Sequence, residues 1–199
     1  MATLDQTANW AILEDMRWTI ALFLTASLAA AENCPPALDT SQDMALLLEE
    51  ARGAKTEMAG RVASDKMWQL WLKAPNAQAQ EILDSGMRRR SSYDYLGAEA
   101  EFQRLIDYCP NYAEGYNQRA FVRYLQGNFN GALDDLDKVL SMSPNHVGAQ
   151  SGRALTLMHI GNLSSARLQM LEALENNPWL SERALVAPGA PLGPVGQDL

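Results

Sequence analysis

The sequence is poor in the residues that bind metals and carry out catalysis. Its 199 residues include two cysteines and two histidines, Cys34, Cys109, His146 and His159. These numbers exclude a Cys₄ or Cys₂His₂ zinc site unless residues from distant regions all converge. There is also no glycine-rich phosphate loop, no His-Glu-x-x-His motif and no serine nucleophile elbow. We therefore predict a protein that is not an enzyme and that has no cofactor and no metal.

The few residues with catalytic potential stand alone. His146 follows Pro144-Asn145 and is predicted in a turn, while His159 is predicted on the surface near the end of a helix. The acidic residues Asp134, Asp135 and Asp137 resemble a cluster of metal ligands. Helical geometry sends consecutive side chains to different faces, so we expect a solvated face there instead.

Positive charge is scarce as well. Sixteen Lys and Arg residues oppose 24 Asp and Glu residues, which gives a net charge of −8. Such a chain repels polyphosphate, so nucleic acid is not expected as a partner. The basic cluster Arg88-Arg89-Arg90 is predicted to be a solvated helix end, with contact to anionic lipid or an acidic partner segment as the alternative.

Near the N-terminus the chain has an uncharged run that is too short to cross a bilayer. The run covers residues 18–31 and ends in three alanines, as in the apolar region and cleavage site of a signal peptide. The acidic residues Asp5, Glu14 and Asp15 do not suit a signal peptide, whereas Met16-Arg17 does.

We therefore predict a signal peptide region over residues 1–31, with the true start at Met16 and cleavage after Ala31. The mature protein would begin at Glu32 in the periplasm, without stable membrane insertion. A buried core helix and a retained membrane anchor are the alternatives.

Three prolines reveal an internal repeat. Pro110, Pro144 and Pro178 are spaced by 34 residues. Each has an alanine twelve positions earlier and bulky apolar residues at fixed positions between: Ala98, Phe102 and Ile106; Ala132, Leu136 and Leu140; Ala166, Met170 and Leu174. The apolar spacing is helical rather than alternating. The period therefore predicts a stack of helix-turn-helix units.

The residues shared by the repeats are those that such a unit requires. Ala120 and Ala154 permit close approach of two helices. Gly127 and Gly161 supply the left-handed residue that ends the first helix. The prolines stop the second helix, because the residue before a proline is pushed out of helical geometry.

This pattern resembles the tetratricopeptide repeat, in which small, aromatic and proline residues recur over 34 positions. The resemblance covers units 79–112, 113–146 and 147–180, and it implies an all-α, right-handed α-solenoid. The stretches Cys109–Ala120 and Asn177–Arg183 also resemble exported repeat proteins of α-proteobacteria. That likeness favours export but implies no particular activity.

The two ends of the predicted stack are irregular. Residues 32–78 read as an N-terminal strap followed by a degenerate fourth unit, whose Trp68 and Trp71 are expected to cap the end of the solenoid core. Residues 179–186 are predicted to form a capping helix. The Pro- and Gly-rich residues 187–199 are predicted to be a disordered tail.

Repeats of this kind commonly bind a peptide or helix of a partner protein along their first helices. The register predicts these groove residues: Leu83, Met87, Arg90, Glu114, Asn117, Phe121, Tyr124, Leu125, Gly148, Ser151, Gly152, Leu155 and His159. Gly148 and Gly152 would allow either a ligand or a neighbouring helix to approach closely. A chaperone-type carboxylate clamp is not expected, because the clamp positions hold Leu83, Met87, Gln118 and the two glycines.

The two cysteines leave two possibilities open. In an oxidising compartment a Cys34–Cys109 bond would tie the strap to the repeats. Otherwise both are buried thiols.

The leading hypothesis for function is a non-enzymatic module that binds another protein through its groove. A structural role in an envelope complex is the alternative.

Overall fold

The computed structural model describes residues 34–194, and this part of the chain is helical without strands. Eight α-helices and a final 3₁₀ helix follow one another in the described residues: α1 Ser41–Gly53, α2 Glu57–Trp71, α3 Ala77–Ser91, α4 Tyr95–Tyr108, α5 Ala113–Leu125, α6 Phe129–Met142, α7 Val147–Ile160, α8 Leu163–Asn176 and the 3₁₀ helix Ser181–Val186. Helices α3 to α8 form three consecutive hairpins, each packed on the next. The expected all-α solenoid of helical repeats is confirmed.

The second helix of each repeat starts in the same way. Asp94, Asn128 and Asn162 are N-caps whose side chains accept a backbone N–H three residues later. Just before them, Gly127 and Gly161 adopt φ values of 77° and 89°, as the sequence predicted. The turn is therefore encoded by a left-handed residue followed by a capping side chain.

Small residues set the helix separation within each repeat. Ala98, Ala132 and Ala166 occupy equivalent positions and are completely buried. In the first repeat a Cβ on Gly86 would overlap the ring of Phe102, which is also fully buried. The alanines and this glycine let adjacent helices pack at native density.

Repeated arginines link neighbouring hairpins. Arg119 donates to Gln103 of α4 and to Asp135 of α6, and Arg153 donates to Asp137 and Gln169 in the same relative arrangement. Burial lowers the pKa of Arg119, but the hydrogen bonds to Asp135 and the nearby negative charges, Asp135 first, together outweigh burial, so the pKa of Arg119 is raised. The prediction of a solvated acidic face is thus wrong for Asp135, which is 3% exposed.

The first two helices do not extend the stack. Helices α1 and α2 pack on each other and form what we call the N-terminal hairpin, and α1 also contacts α8. Trp71 of α2 stacks on His146 at the start of α7, with ring centroids 3.9 Å apart, and Trp68 lies against Gly148. The expectation that these tryptophans cap the free end of the solenoid is wrong. They lie against repeats two and three.

The tail also differs from expectation. Residues 187–194 fold back onto the last repeat, where Leu192 is 1% exposed and packs with Ala154 and Met170. The backbone N–H of Leu192 donates to Leu185, and Arg167 donates to the Leu192 carbonyl. The Pro- and Gly-rich composition predicted disorder, but burial of the Leu192 side chain holds this segment on the last repeat. The predicted disorder is therefore wrong for residues 187–194. Residues 195–199 lie outside the described part.

A disulfide joins Cys34 to Cys109, with their Cα atoms 5.2 Å apart and 75 positions apart in the chain. It fastens the segment before α1 to the end of α4. Among the described residues, no helix combines the length and the apolarity needed to cross a membrane. The predicted signal peptide, its start at Met16 and its cleavage after Ala31 fall outside the described residues.

Candidate functional site

A cavity of about 390 Å³ lies against the first helices of the three repeats. Helices α3, α5 and α7 contribute most of its lining, α2 adds Trp68, and Leu72 follows directly after α2. The lining residues are Trp68, Leu72, Met87, Arg90, Asn117, Gln118, Ala120, Phe121, Tyr124, Leu136, Gly148, Ser151, Gly152, Leu155, Thr156 and Glu182. Apolar and aromatic walls with a few polar groups are typical of ligand-binding clefts.

Most of the predicted groove residues line this cavity. Met87, Arg90, Asn117, Phe121, Tyr124, Gly148, Ser151, Gly152 and Leu155 all do so. Phe121 remains 46% exposed although its neighbours Ala120 and Val122 are buried. An aromatic ring left accessible beside a cleft offers apolar area to a ligand.

Four of the groove residues suggested by the register lie elsewhere. Leu83 is fully buried among Phe102 and Leu105 in the core of the first repeat. Glu114 is 1% exposed, beneath the cavity. Leu125 and His159 belong to the far ends of α5 and α7, where His159 stacks on Phe129. The cavity therefore covers only part of the predicted groove.

Arg90 places a positive charge at the cavity. Its guanidinium lies 5.0 Å from the centroid of the Phe121 ring, and it donates to Gln118. Burial lowers the pKa of Arg90, while the negative charge of Glu114 opposes that effect. The last residue of the basic cluster is thus turned into the cleft rather than being solvated.

A buried polar network supports the cavity from below. The Glu114 carboxylate accepts hydrogen bonds from Asn117, Gln118 and the Nε2 of His146, the last at 3.0 Å. The Nδ1 of His146 faces the N–H of Ala149 at 3.1 Å, so Nδ1 accepts and Nε2 carries the proton. The network joins α5 to the start of α7 and fixes the polar amides of the cleft.

His146 lies in the turn between α6 and α7, as predicted, but it does not stand alone. It is 1% exposed, caps α7 and carries the stacked Trp71 on its ring. Tyr112 strengthens the same junction by donating from its hydroxyl to the Trp71 carbonyl at 2.6 Å. Burial, and then the charges of Glu114 and Asp84, raise the pKa of Tyr112, so the hydroxyl stays protonated as a donor.

Sequence reasoning missed the wall that α2 supplies. Trp68 and Leu72 lie outside the regular repeats, and Glu182 lies in the 3₁₀ helix beyond them. One signal was present in the sequence: Gly148, an unusual glycine inside a helix. A Cβ built there would lie 2.8 Å from Trp68, whereas one on Gly152 would make an ordinary 3.4 Å contact with Leu136. Gly148 therefore admits the chain's own Trp68.

Comparison with curated proteins reveals partial relatives. A TPR repeat-containing protein of Rhizobium etli is 42% identical over 53 residues, which is 27% of this chain and 26% of that protein. A tetratricopeptide repeat protein 36 homolog of Nematostella vectensis is 35% identical over 77 residues, 39% of this chain and 42% of that protein. This chain thus spans less than half of either relative. No family model matches it.

Solved structures share the fold of the repeats. The first TPR of Spaghetti (RPAP3), bound to the HSP90 peptide SRMEEVD, superposes with a TM-score of 0.53 at 19% identity, covering 55% of this chain and 87% of that one. The TPR2B domain of yeast Sti1, in its pHsp70 complex, gives 0.52 at 22% identity and covers 55% and 90%. The chain therefore resembles tetratricopeptide repeat proteins, an α-proteobacterial one among them, and its repeats have their fold.

Proposed function

We propose that the protein is a non-enzymatic interaction module that binds a short segment of a partner protein in the 390 Å³ cavity. The observation that carries this proposal is the exposed ring of Phe121, set between the apolar walls and the Arg90 guanidinium. A cleft of this size accommodates one or two large side chains of an extended segment rather than a whole helix. The polar amides and Ser151 would bond its backbone.

Peptide complexes of proteins with the same repeat fold support a protein partner. The Hsp90 and Hsp70 peptides named there are not proposed for this chain. Arg90 is the cation that lines the cavity, and Glu182 adds a negative charge on another side. We expect the ligand to combine an apolar anchor with a small number of polar contacts.

A random peptide library panned against the full oxidised protein tests the proposal. Selected peptides should bind the wild type and lose at least tenfold in affinity for the Phe121→Ala, Tyr124→Ala double variant. Leu168→Ala is the matched control, because Leu168 is 70% exposed and does not line the cavity. Equal binding to the double variant and to the wild type would contradict the cavity assignment.

A structural role in an envelope complex is the second candidate. Leu96 and Leu168, on the second helices of repeats one and three, are 79% and 70% exposed and would offer apolar contacts away from the cavity. The Leu96→Ala, Leu168→Ala variant would then lose its partner while Phe121→Ala kept it. Deletion of residues 187–199 is unsuitable as a test, because Leu192 belongs to the core.

We also propose that the protein acts in the periplasm after cleavage of the predicted signal peptide. The disulfide supports this location, since such bonds persist in oxidising compartments. Fractionation of the host followed by N-terminal sequencing should give a periplasmic species that begins at Glu32. A retained N-terminus in the cytoplasm would contradict it.

A further inference from the structure

Arg90 differs from the arginines that link the helices of the repeats. Arg119, Arg123 and Arg153 each form an ion pair with an aspartate or glutamate of a neighbouring helix. Arg90 is also partly buried, but within the described residues it forms no ion pair and donates instead to the neutral amide oxygen of Gln118. A guanidinium that is partly removed from water without a carboxylate partner has unused capacity to bind one.

The guanidinium of Arg90 is held in a fixed position at the cavity. It lies 5.0 Å from the centroid of the Phe121 ring, and the amide oxygen of Gln118 accepts one of its N–H groups. Gln118 is fixed in turn, because its own amide N–H donates to the buried carboxylate of Glu114. The other N–H groups of Arg90 stay available to a ligand. A carboxylate would therefore meet a positioned donor, without the cost of ordering a flexible side chain.

The charges around the cavity favour a single negative charge at Arg90. Burial lowers the pKa of Arg90 although Glu114 lies nearby, as expected for a partly desolvated cation without a directly bonded anion. Glu114 is enclosed beneath the cavity and already accepts hydrogen bonds from three side chains, while Glu182 lines another side. These two carboxylates would repel a phosphate dianion more strongly than a monovalent carboxylate. A carboxylate is therefore the anion that suits the site best.

We propose that Arg90 forms a carboxylate-binding subsite within the cavity, so that the partner segment carries a carboxylate next to the apolar side chain that packs on Phe121. The carboxylate belongs either to an Asp or Glu side chain or to the C-terminus of the segment. Arg90 lies outside the positions of a chaperone-type carboxylate clamp, which hold uncharged residues in this chain. This inference rests on the proposed function, because it names the chemistry of the ligand in the same cavity.

Three pools of random heptapeptides test the proposal with the full oxidised protein. The first pool contains Asp and Glu and is blocked at both termini. The second replaces these residues with Asn and Gln, and the third is the second with a free C-terminal carboxylate. We expect selected peptides to come from the first pool if a side chain is recognised and from the third if the C-terminus is. Equal selection from all three pools would overturn the proposal.

The selected peptides allow a direct comparison of carboxylate with amide. Replacing the carboxylate of a selected peptide by the corresponding amide should weaken its binding to the wild type by about tenfold or more, because a charge-assisted pair is lost. Equal affinity of the two peptides would contradict the role of Arg90. This comparison needs no substitution in the protein, so it holds even where a variant fails to fold.

Two variants locate the subsite on the protein. Arg90→Gln should weaken binding of the carboxylate peptide by about tenfold or more and leave that of the amide peptide nearly unchanged. Arg88→Gln is the matched control, because it makes the same change of charge at an exposed residue of the same helix, and it should not alter either affinity. Equal weakening by both variants would reveal a general effect of charge and would overturn the assignment to Arg90.

The outcomes separate this inference from the proposed function. Selected peptides that depend on Phe121 and Tyr124, but bind equally well as carboxylate and as amide, would support the cavity and overturn the role of Arg90. Failure of all three pools to yield a binding peptide would contradict the proposed function, and the subsite with it.

Discussion

The N-terminal hairpin and the three repeats are built from the same element, a pair of antiparallel helices, yet they pack by different means. In the repeats, alanines and a glycine at fixed positions bring the helices together. The N-terminal hairpin meets the repeats through Trp68, Trp71 and Met67, and its Gly60 lies against Trp179, so its contacts do not follow the register of the repeats. A hairpin pattern in a sequence therefore predicts the element but not the surface on which it docks.

The largest expected effect lies in the core of the repeats. Phe102→Ala removes a fully buried ring and should lower the free energy of unfolding by about 3–5 kcal/mol. Denaturant titration of the oxidised protein measures this loss. Trp71→Ala is the comparison from the hairpin, and hydrogen exchange in α3 to α8 should be largely unchanged in that variant. Similar loss of protection throughout the repeats would mean that the two regions are not distinct.

The next largest effect is expected from a buried ion pair within the repeats. Asp135→Ala leaves Arg119 and Arg123 without their shared partner and should cost about 3 kcal/mol, because unpaired buried charge is strongly destabilising. Asp137→Ala is the matched control, since its side chain is 53% exposed. Thermal unfolding should show a large decrease in melting temperature for Asp135→Ala and a small one for Asp137→Ala. Equal decreases would refute the interpretation of Asp135 as a buried partner.

Substitutions at two glycines of α7 test where Trp68 lies, because only Gly148 contacts it. Gly152→Ala should stabilise the protein by about 1 kcal/mol, because alanine favours the helix and its Cβ meets Leu136 at an ordinary distance. Gly148→Ala should instead disturb Trp68 and increase hydrogen exchange in α2. Stabilisation by both substitutions, with α2 still protected, would contradict the position of Trp68.

A smaller effect is expected from pH. The backbone N–H of Gly97, and then Arg89, lower the pKa of Asp94 below its usual 3.8. A lowered pKa in the folded state stabilises the protein above pH 4, and this contribution disappears as the pH falls through the lowered value. Asp94→Asn keeps the helix cap without the charge. Its difference in stability from the wild type should therefore vanish in acid, and a constant difference would be inconsistent with the shift.

The sequence predicted the repeats because each rests on local chemistry. The prolines, the alanines and the glycine turns specify a 34-residue hairpin without reference to the rest of the chain. Tyr93 occupies the position equivalent to Gly127 with φ 62°, which shows that the turn forms even without its usual residue. The register placed Leu83 in the groove, but Leu83 is buried, because the face of α3 that packs on the core is wider than the register suggests.

The candidate site was only partly predictable because part of it comes from outside the repeats. The register placed Phe121, Arg90 and Leu155 correctly beside one another. Trp68 could not be placed, since its contact with Gly148 joins residues 80 positions apart that no repeat relates. The burial of His146 could not be predicted for the same reason, because its ring stacks on Trp71, also outside the repeats.

The position of α2 is the central claim, and NMR of the oxidised, isotope-labelled protein tests it most directly. We predict nuclear Overhauser effects between the rings of Trp71 and His146, whose centroids are 3.9 Å apart, and between Trp68 and the α protons of Gly148. Contacts of both indole rings with side chains along α3 would instead make the N-terminal hairpin a fourth stacked repeat, and they would contradict the account.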